Sequence, residues 1–254
     1  MIEFLGDLAQ WFATSWDGDT GYLMRIWEHI TVSGAALLAA VVVALPLGAW
    51  LGHTGRGGVL VVSLVNIGRA LPSFGIVALA LPITIRLADA LPFIDSGLGF
   101  LPTFVALFAL AAPPVFINTH AGVRGVDPDT VDAARGMGID ERRILTTIEL
   151  PMATAVIMNG IRVTAVQVIA TAPLGALVAY GGLGRFIVDG FAVRDSVQIA
   201  AGAILVALLA VATEIGFARL ERQVVPKGIA PTRKAGNIAR DSLVEAVGRS
   251  GAVP

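Results

Sequence analysis

Chemistry needs particular side chains at particular spacings, and this chain of 254 residues offers few of them. It has no cysteine, which removes thiolate metal sites and disulfides. Its only lysines, Lys227 and Lys234, precede Gly228 and Ala235. A phosphate-binding loop ending in Gly-Lys-Ser/Thr therefore cannot be built. Neither His-Glu-x-x-His nor Gly-x-Ser-x-Gly occurs, so no zinc-hydrolase or serine-nucleophile constellation is present. His29, His53 and His120 lack metal-ligand spacing and read as polar groups near the ends of apolar runs. No metal, and no cofactor bound by this chain, is expected.

What remains is a docking chemistry in the hydrophilic segment Gly122–Pro151. Asp127-Pro128 is a helix start, since aspartate caps free N–H groups and proline suits the first helical position. The helix can run through Val131 and the small pair Ala133-Ala134 until Gly136 or Gly138 ends it. Asp140 offers a second cap, with Glu141 in the first turn, where the helix dipole favours negative charge. Ile144 and Ile148 fall on one face beside Leu145, and Pro151 is expected to stop the run. The product is two short helices meeting at a glycine elbow. One reading is an amphipathic connector resting on lipid headgroups. The sharper one is a docking element, where two alanines let a partner groove approach the backbone.

The elements that must position this elbow follow from composition. Hydrophobic residues make up 56% of the chain and charged residues 15%. Soluble domains carry about a quarter charged residues, so this chain has too little polar surface to coat a water-soluble globule. Its apolar runs are unbroken rather than alternating, which selects membrane helices over a β-barrel. A spanning helix needs about 20 apolar residues. Ile30–Leu51 qualifies, flanked by Trp27 and Trp50 at belt positions. Val59–Ile85, interrupted by Arg69 and Pro72, reads as one kinked element; splitting it would give six spans. Gly97–Ala121, with Pro113-Pro114 near its end, is the third. Ile157–Tyr180, containing Pro173 and Gly175, is the fourth, and Ser196 to about Ala218 is the fifth.

Basic residues choose the orientation. Grouping 52–58, 122–150 and the carboxyl tail collects 12 arginines and lysines, whereas the opposite side holds only Arg25, Arg86, Arg185 and Arg194. Cytoplasmic loops carry the positive excess. The amino-terminal segment 1–26 is therefore expected outside, the spanning region over 27–222, and 223–254 as a mobile cytoplasmic tail. The acidic start, with Arg25 the first basic residue, does not read as a cleavable signal peptide. A net charge of −1 gives no reason to expect nucleic acid.

The elbow then matches a pattern. Asp132-Ala133-Ala134, three residues, Gly138, nine residues, Ile148, one residue and Leu150-Pro151 resemble the "EAA" signature of ABC importer permeases, with Asp132 replacing glutamate. Val126-Asp127-Pro128, Ala133-Ala134-Arg135-Gly136-Met137-Gly138 and Asn159-Gly160-Ile161-Arg162 resemble the osmoprotectant branch, as do Leu71-Pro72-Ser73 and Gly181-Gly182-Leu183-Gly184. The resemblance covers about Trp27 to Arg222. It implies an all-α polytopic membrane protein of the type I importer permease fold, in a bacterial cytoplasmic membrane. It also implies that the elbow docks on a separate cytoplasmic ATPase holding ATP and magnesium. A second permease, identical or different, and an extracytoplasmic substrate-binding protein complete such a system. Its substrates would be quaternary amines such as glycine betaine, choline or carnitine. Methionine, phosphonate and sulfonate importers share the fold and loop and stand as alternatives.

Ionisable groups in spans mark candidate pathways. Arg162 and Glu214 lie near the cytoplasmic ends of their spans, where arginine can snorkel, and read as structural. Arg69 precedes the Leu71-Pro72 break, and with Pro72, Phe74 and Pro173 it is a candidate lining of a translocation path. Phe74, Phe104 and Phe108 could touch a passing cation, or face lipid or core. A secondary transporter working without ATP is the competing class. It should show inverted repeats and midplane coupling charges, and neither is evident.

Overall fold

The computed structural model describes residues 2–61, 63–64, 72–90 and 97–225. All regular structure among them is helical. Helix α1 covers Ile2–Thr14 and α2 covers Tyr22–His53, starting eight residues before the expected span. After the left-handed Gly55 and Gly57, residues 58–61 are helical again. Helix α3 covers Ser73–Ala90 and α4 covers Phe100–Arg124. The elbow holds α5 (Pro128–Gly136) and α6 (Glu141–Ile144), followed by a π turn over Leu145–Glu149. Helix α7 (Leu150–Thr171) passes into a 3-10 turn over Ala172–Val178. Helices α8 (Gly184–Val193) and α9 (Ser196–Val224) complete the described chain.

Five of these helical stretches are long and apolar enough to cross a membrane: α2, α3, α4, the run from Glu141 to Val178, and α9. Two sequence expectations are corrected. Pro72 does not kink a helix: it is not helical, and its carbonyl accepts from the Ile76 N–H, so it opens α3. This suits a residue whose ring bars a preceding helical turn but not a following one. Arg69 and Leu71, on the expected element, lie outside the described residues, as does the tail from 226 onward. Pro113-Pro114 also sit well inside α4, which runs ten residues past Pro114.

The spans meet through small side chains. Val32, Ala36, Ala40, Ala44, Gly48 and Gly52 repeat every fourth residue down one face of α2, all buried. At Gly48 a Cβ would stand 2.8 Å from the Phe116 carbonyl oxygen, and at Gly52 3.0 Å from that of His120. In a membrane, where lipid is as apolar as leucine, such close backbone approach supplies much of the helix association. The central cluster joins Val32, Ala36 and Ala40 to Leu107 and Ala111 of α4 and Val168 of α7. Gly160 does the same between α7 and α4: its missing Cβ would lie 2.3 Å from Asn118 Cβ.

Helix polarity follows from these contacts. The carboxyl ends of α2 and α4 lie side by side, and Gly122 meets Ala153 near the start of α7. Val224, at the end of α9, shares a 420 Å³ depression with Thr146, Leu150 and Pro151. At the opposite end, Trp11 of α1 packs against Phe12, Tyr22 and Phe186, the last with ring centroids 5.1 Å apart. The elbow and the ends of α2, α4 and α9 thus share one face of the molecule. Helix α1 and the starts of α2 and α9 share the other.

Candidate functional site: the elbow between the third and fourth spans

The elbow forms as its local sequence dictates. Asp127 accepts from the Asp129 N–H at 3.0 Å and Asp140 from the Arg142 N–H at 3.1 Å, each capping its helix. Helix α5 ends in a Schellman arrangement. The Gly138 N–H donates to the Arg135 carbonyl and the Ile139 N–H to the Ala134 carbonyl. Gly138 stands at φ +77°, the left-handed region that an L side chain enters only with strain. The two helices then share a small core of Val126, Val131, Ala134 and Ile144, flanked by Ile139 and Ile148.

This sorts the signature residues by what they touch. Asp132, Ala133 and Gly138 are exposed on the outer surface, beside Met137, which is 73% exposed. Ala134 is not available to a partner, contrary to expectation. It is buried in the elbow's own core, where a larger side chain would push the helices apart. Ile148 joins that core, whereas Leu150 packs with Ala49, Val123 and Ile157 at the ends of the spans. Pro151 does not stop the helix either. The chain continues through it, with the Leu150 N–H donating to the Leu145 carbonyl across a widened turn. Proline lacks an N–H and presses on the carbonyl four residues back. A π turn at that point is a known way for a helix to absorb the mismatch. The second elbow helix and the fourth span are therefore one continuous rod.

A charged chain that sequence reading missed ties the elbow to α2. Arg135 donates to Asp132 at 3.0 Å and to Glu141 at 2.8 Å and 3.2 Å. The Arg135 guanidinium holds the Glu141 carboxyl below the usual carboxylate range. Glu141 also lies 3.1 Å from His53 Nε2, and the Nδ1 of the same ring lies 2.5 Å from Glu149. The His53 and Glu149 side chains are only 4% and 6% exposed. One signal was legible: Glu149 is a lone carboxylate in an apolar stretch of helix, and such a group needs a partner.

The candidate path residues are not joined by any described hydrogen bond, ion pair or ring contact. Pro72 opens α3, Phe74 is exposed on its first turn, and Pro173 lies in the 3-10 turn against Gly184. Arg162 and Glu214 pair across α7 and α9 at 3.6 Å, with Glu221 at 3.0 Å from the same guanidinium, which supports their structural reading. Gly181 and Gly182 cradle Glu28 of α2, whose carboxylate accepts from the Gly182 N–H at 2.7 Å.

Comparison with known proteins gives this arrangement its context. Residues 40–226 match the family model described as "Binding-protein-dependent transport system inner membrane component". The chain is 36% identical to the carnitine transport permease protein OpuCB of Listeria monocytogenes, over 84% of this chain and 93% of that protein. It is 34% identical to the choline transport system permease protein OpuBB of Bacillus subtilis, over 82% and 90%. It is 32% identical to the glycine betaine/carnitine/choline transport system permease protein OpuCB of the same organism, over 82% and 90%. Among solved structures, a chain of the MetNI methionine ABC transporter in an inward-facing conformation shares the fold, with a TM-score of 0.70. That match has 21% identity and covers 80% of this chain and 96% of that one. The chain therefore belongs to the binding-protein-dependent transport system inner membrane component family, as a multi-pass permease with the type I ABC importer fold.

Proposed function

We propose that this permease carries quaternary-ammonium osmoprotectants of the glycine betaine, choline and carnitine class into the cell, driven by ATP hydrolysis in a separate subunit. The observation that carries the substrate class is its relationship, at 32–36% identity over most of both chains, to three permeases named for those compounds. The coupling reading rests on the elbow, whose exposed face presents Asp132, Ala133, Met137 and Gly138 and whose two helices are each capped by an aspartate. A cytoplasmic ATPase would seat this face in a groove. Asp132 would reach a basic group there, one methylene shorter than glutamate. A second permease would complete the path between subunits, and an extracytoplasmic binding protein would deliver substrate and set affinity. The amino terminus would lie outside and the carboxyl tail inside.

The test is uptake by proteoliposomes holding the reconstituted complex. Radiolabelled glycine betaine, choline or carnitine should accumulate only with ATP, the ATPase and the loaded binding protein together, and the permease alone should hydrolyse no ATP. Accumulation of methionine instead would overturn the substrate class. Substrate accumulation without the ATPase would overturn the coupling reading.

A further inference from the structure

We infer that His53 is a positioning residue for coupling. Clamped between Glu149 and Glu141, it fastens the elbow to the end of the first span, so that the span follows when the elbow moves. The inference rests on the reading that the elbow docks on an ATPase, and it adds a path by which the docking motion leaves the loop.

The geometry makes the first connection. The fourth span is one rod with the second elbow helix, so a push on the elbow reaches α7 directly. The first span has no such continuity. Its end packs on Leu145 and Leu150 through the apolar cluster around Ala49, and its last residue adds the polar link, through the 2.5 Å His53–Glu149 contact and the 3.1 Å approach to Glu141. Both groups of the short contact are buried, where breaking a polar pair strands one partner without water. Glu149 also occupies the π turn, the point on the rod where the backbone already departs from α geometry. A stiff cross-link at that point moves with the elbow instead of being averaged out by a flexible loop.

The chemistry supplies the second observation. Two carboxylates face one imidazole, Glu141 at Nε2 and Glu149 at Nδ1, so both ring nitrogens are engaged by the elbow. The charged groups around the ring are Glu141 on the second elbow helix, Glu149 in the π turn that follows it, Arg135 and Asp132 on the first elbow helix, and Arg124 at the end of α4. Apart from Glu141, all of these line one 410 Å³ cavity together with Gly52 and Val131. Arg135 bridges Asp132 to Glu141, so the exposed signature residue and the buried clamp belong to one chain of contacts. Asp132, facing the partner, is thus three contacts from the first span.

The test uses the reconstituted complex with His53→Ala, Glu149→Gln, the double variant and His53→Gln. Copurification of the ATPase should persist, because the outer face of the elbow is untouched. Uptake should fall about tenfold, and the stimulation of ATP hydrolysis by loaded binding protein should collapse towards unity. The double variant should be no worse than either single, as one broken contact predicts. His53→Gln, which keeps one donor and most of the volume, should recover part of the stimulation. Hydrogen exchange at 141–149 should quicken in His53→Ala, a readout independent of substrate and of ATP. Full stimulation and unchanged exchange in the single variants would overturn the proposal, as would additive losses. Failure of both His53 variants to accumulate would make His53 a folding residue and also overturn it. If the unmodified complex hydrolyses ATP but carries none of the proposed substrates, the substrate reading fails. The clamp is then still decided by exchange.

Discussion

At the scale of single residues, Gly138 shows how a signature position earns its identity from backbone conformation. No neighbour would obstruct a Cβ there, so glycine is not kept for space within the chain. It is kept by φ +77°, which closes the Schellman turn between the elbow helices. An L side chain in that region costs about 1–2 kcal/mol, and Gly138→Asp adds a charge on the exposed face. The variant should insert at near-normal levels, because no span depends on the residue. It should transport poorly, and its ATPase should dissociate or lose stimulation. Asparagine tolerates the left-handed region, so Gly138→Asn separates strain from charge by retaining more transport than Gly138→Asp. Uptake normalised to membrane content measures both, with Thr146→Ser as the silent control. Full transport by Gly138→Asp would reduce the elbow to a solvated connector.

At the scale of elements, Gly160 shows how a glycine sets the approach of two spans. Its face meets Asn118 so closely that a Cβ would overlap the asparagine Cβ at 2.3 Å, and neither atom belongs to a flexible chain end. Gly160→Ala must therefore push α7 away from α4. Overpacking of this kind costs about 1–3 kcal/mol, and thermal unfolding in detergent should show the loss. Asn118→Gly, which removes the opposing Cβ, should restore most of it in the double variant; additive destabilisation would show that the contact is not the cause. Elements of this kind were only partly legible in the sequence. Long apolar runs located five spans, and the aspartates located both elbow helices, because those signals are local. Pro151 and Pro72 misled in opposite directions. The first was read as a stop and lies within a continuous rod; the second was read as a kink and opens a helix. Whether a helix absorbs a proline depends on the turn before it, and the π turn at Leu145–Glu149 leaves no composition signal. The His53 clamp was hidden for a related reason: its partners are 88 and 96 residues away. Ala134 was misassigned because small residues read alike whether they face a partner or a core.

At the scale of the whole molecule, the helices and the charges agree on one arrangement. The elbow, His53, Arg124 and the end of α9 lie at one end, while α1, Arg25 and Arg185 lie at the other. Among the described residues five helical stretches are long and apolar enough to cross, and five crossings would put the two ends on opposite sides. The end bearing the elbow holds the basic excess and should be cytoplasmic. Because the chain has no cysteine, single cysteines can be introduced without background. Thr14 and Ser196 are exposed at the end of α1 and the start of α9, and Thr130 and Thr146 are exposed on the elbow. A membrane-impermeant thiol reagent applied to intact cells or spheroplasts should label the first two positions. The elbow positions should react only after the membrane is opened. Two pairs matter here, since a single unlabelled site can reflect local shielding, whereas a reciprocal pattern cannot. Labelling of Thr130 and Thr146 from outside would invert the molecule and place its elbow out of reach of any cytoplasmic ATPase. Labelling of Ser196 from outside, with Thr14 reacting only after the membrane is opened, would bring the amino terminus inside and require a sixth crossing. The contacts of α1 argue against that outcome: Trp11 and Phe186 pack together beside Arg25 and Gln198, and Gln198 stands in the first turn of α9. Helix α1 therefore shares a side with the start of the last span, and a label that reaches one should reach the other.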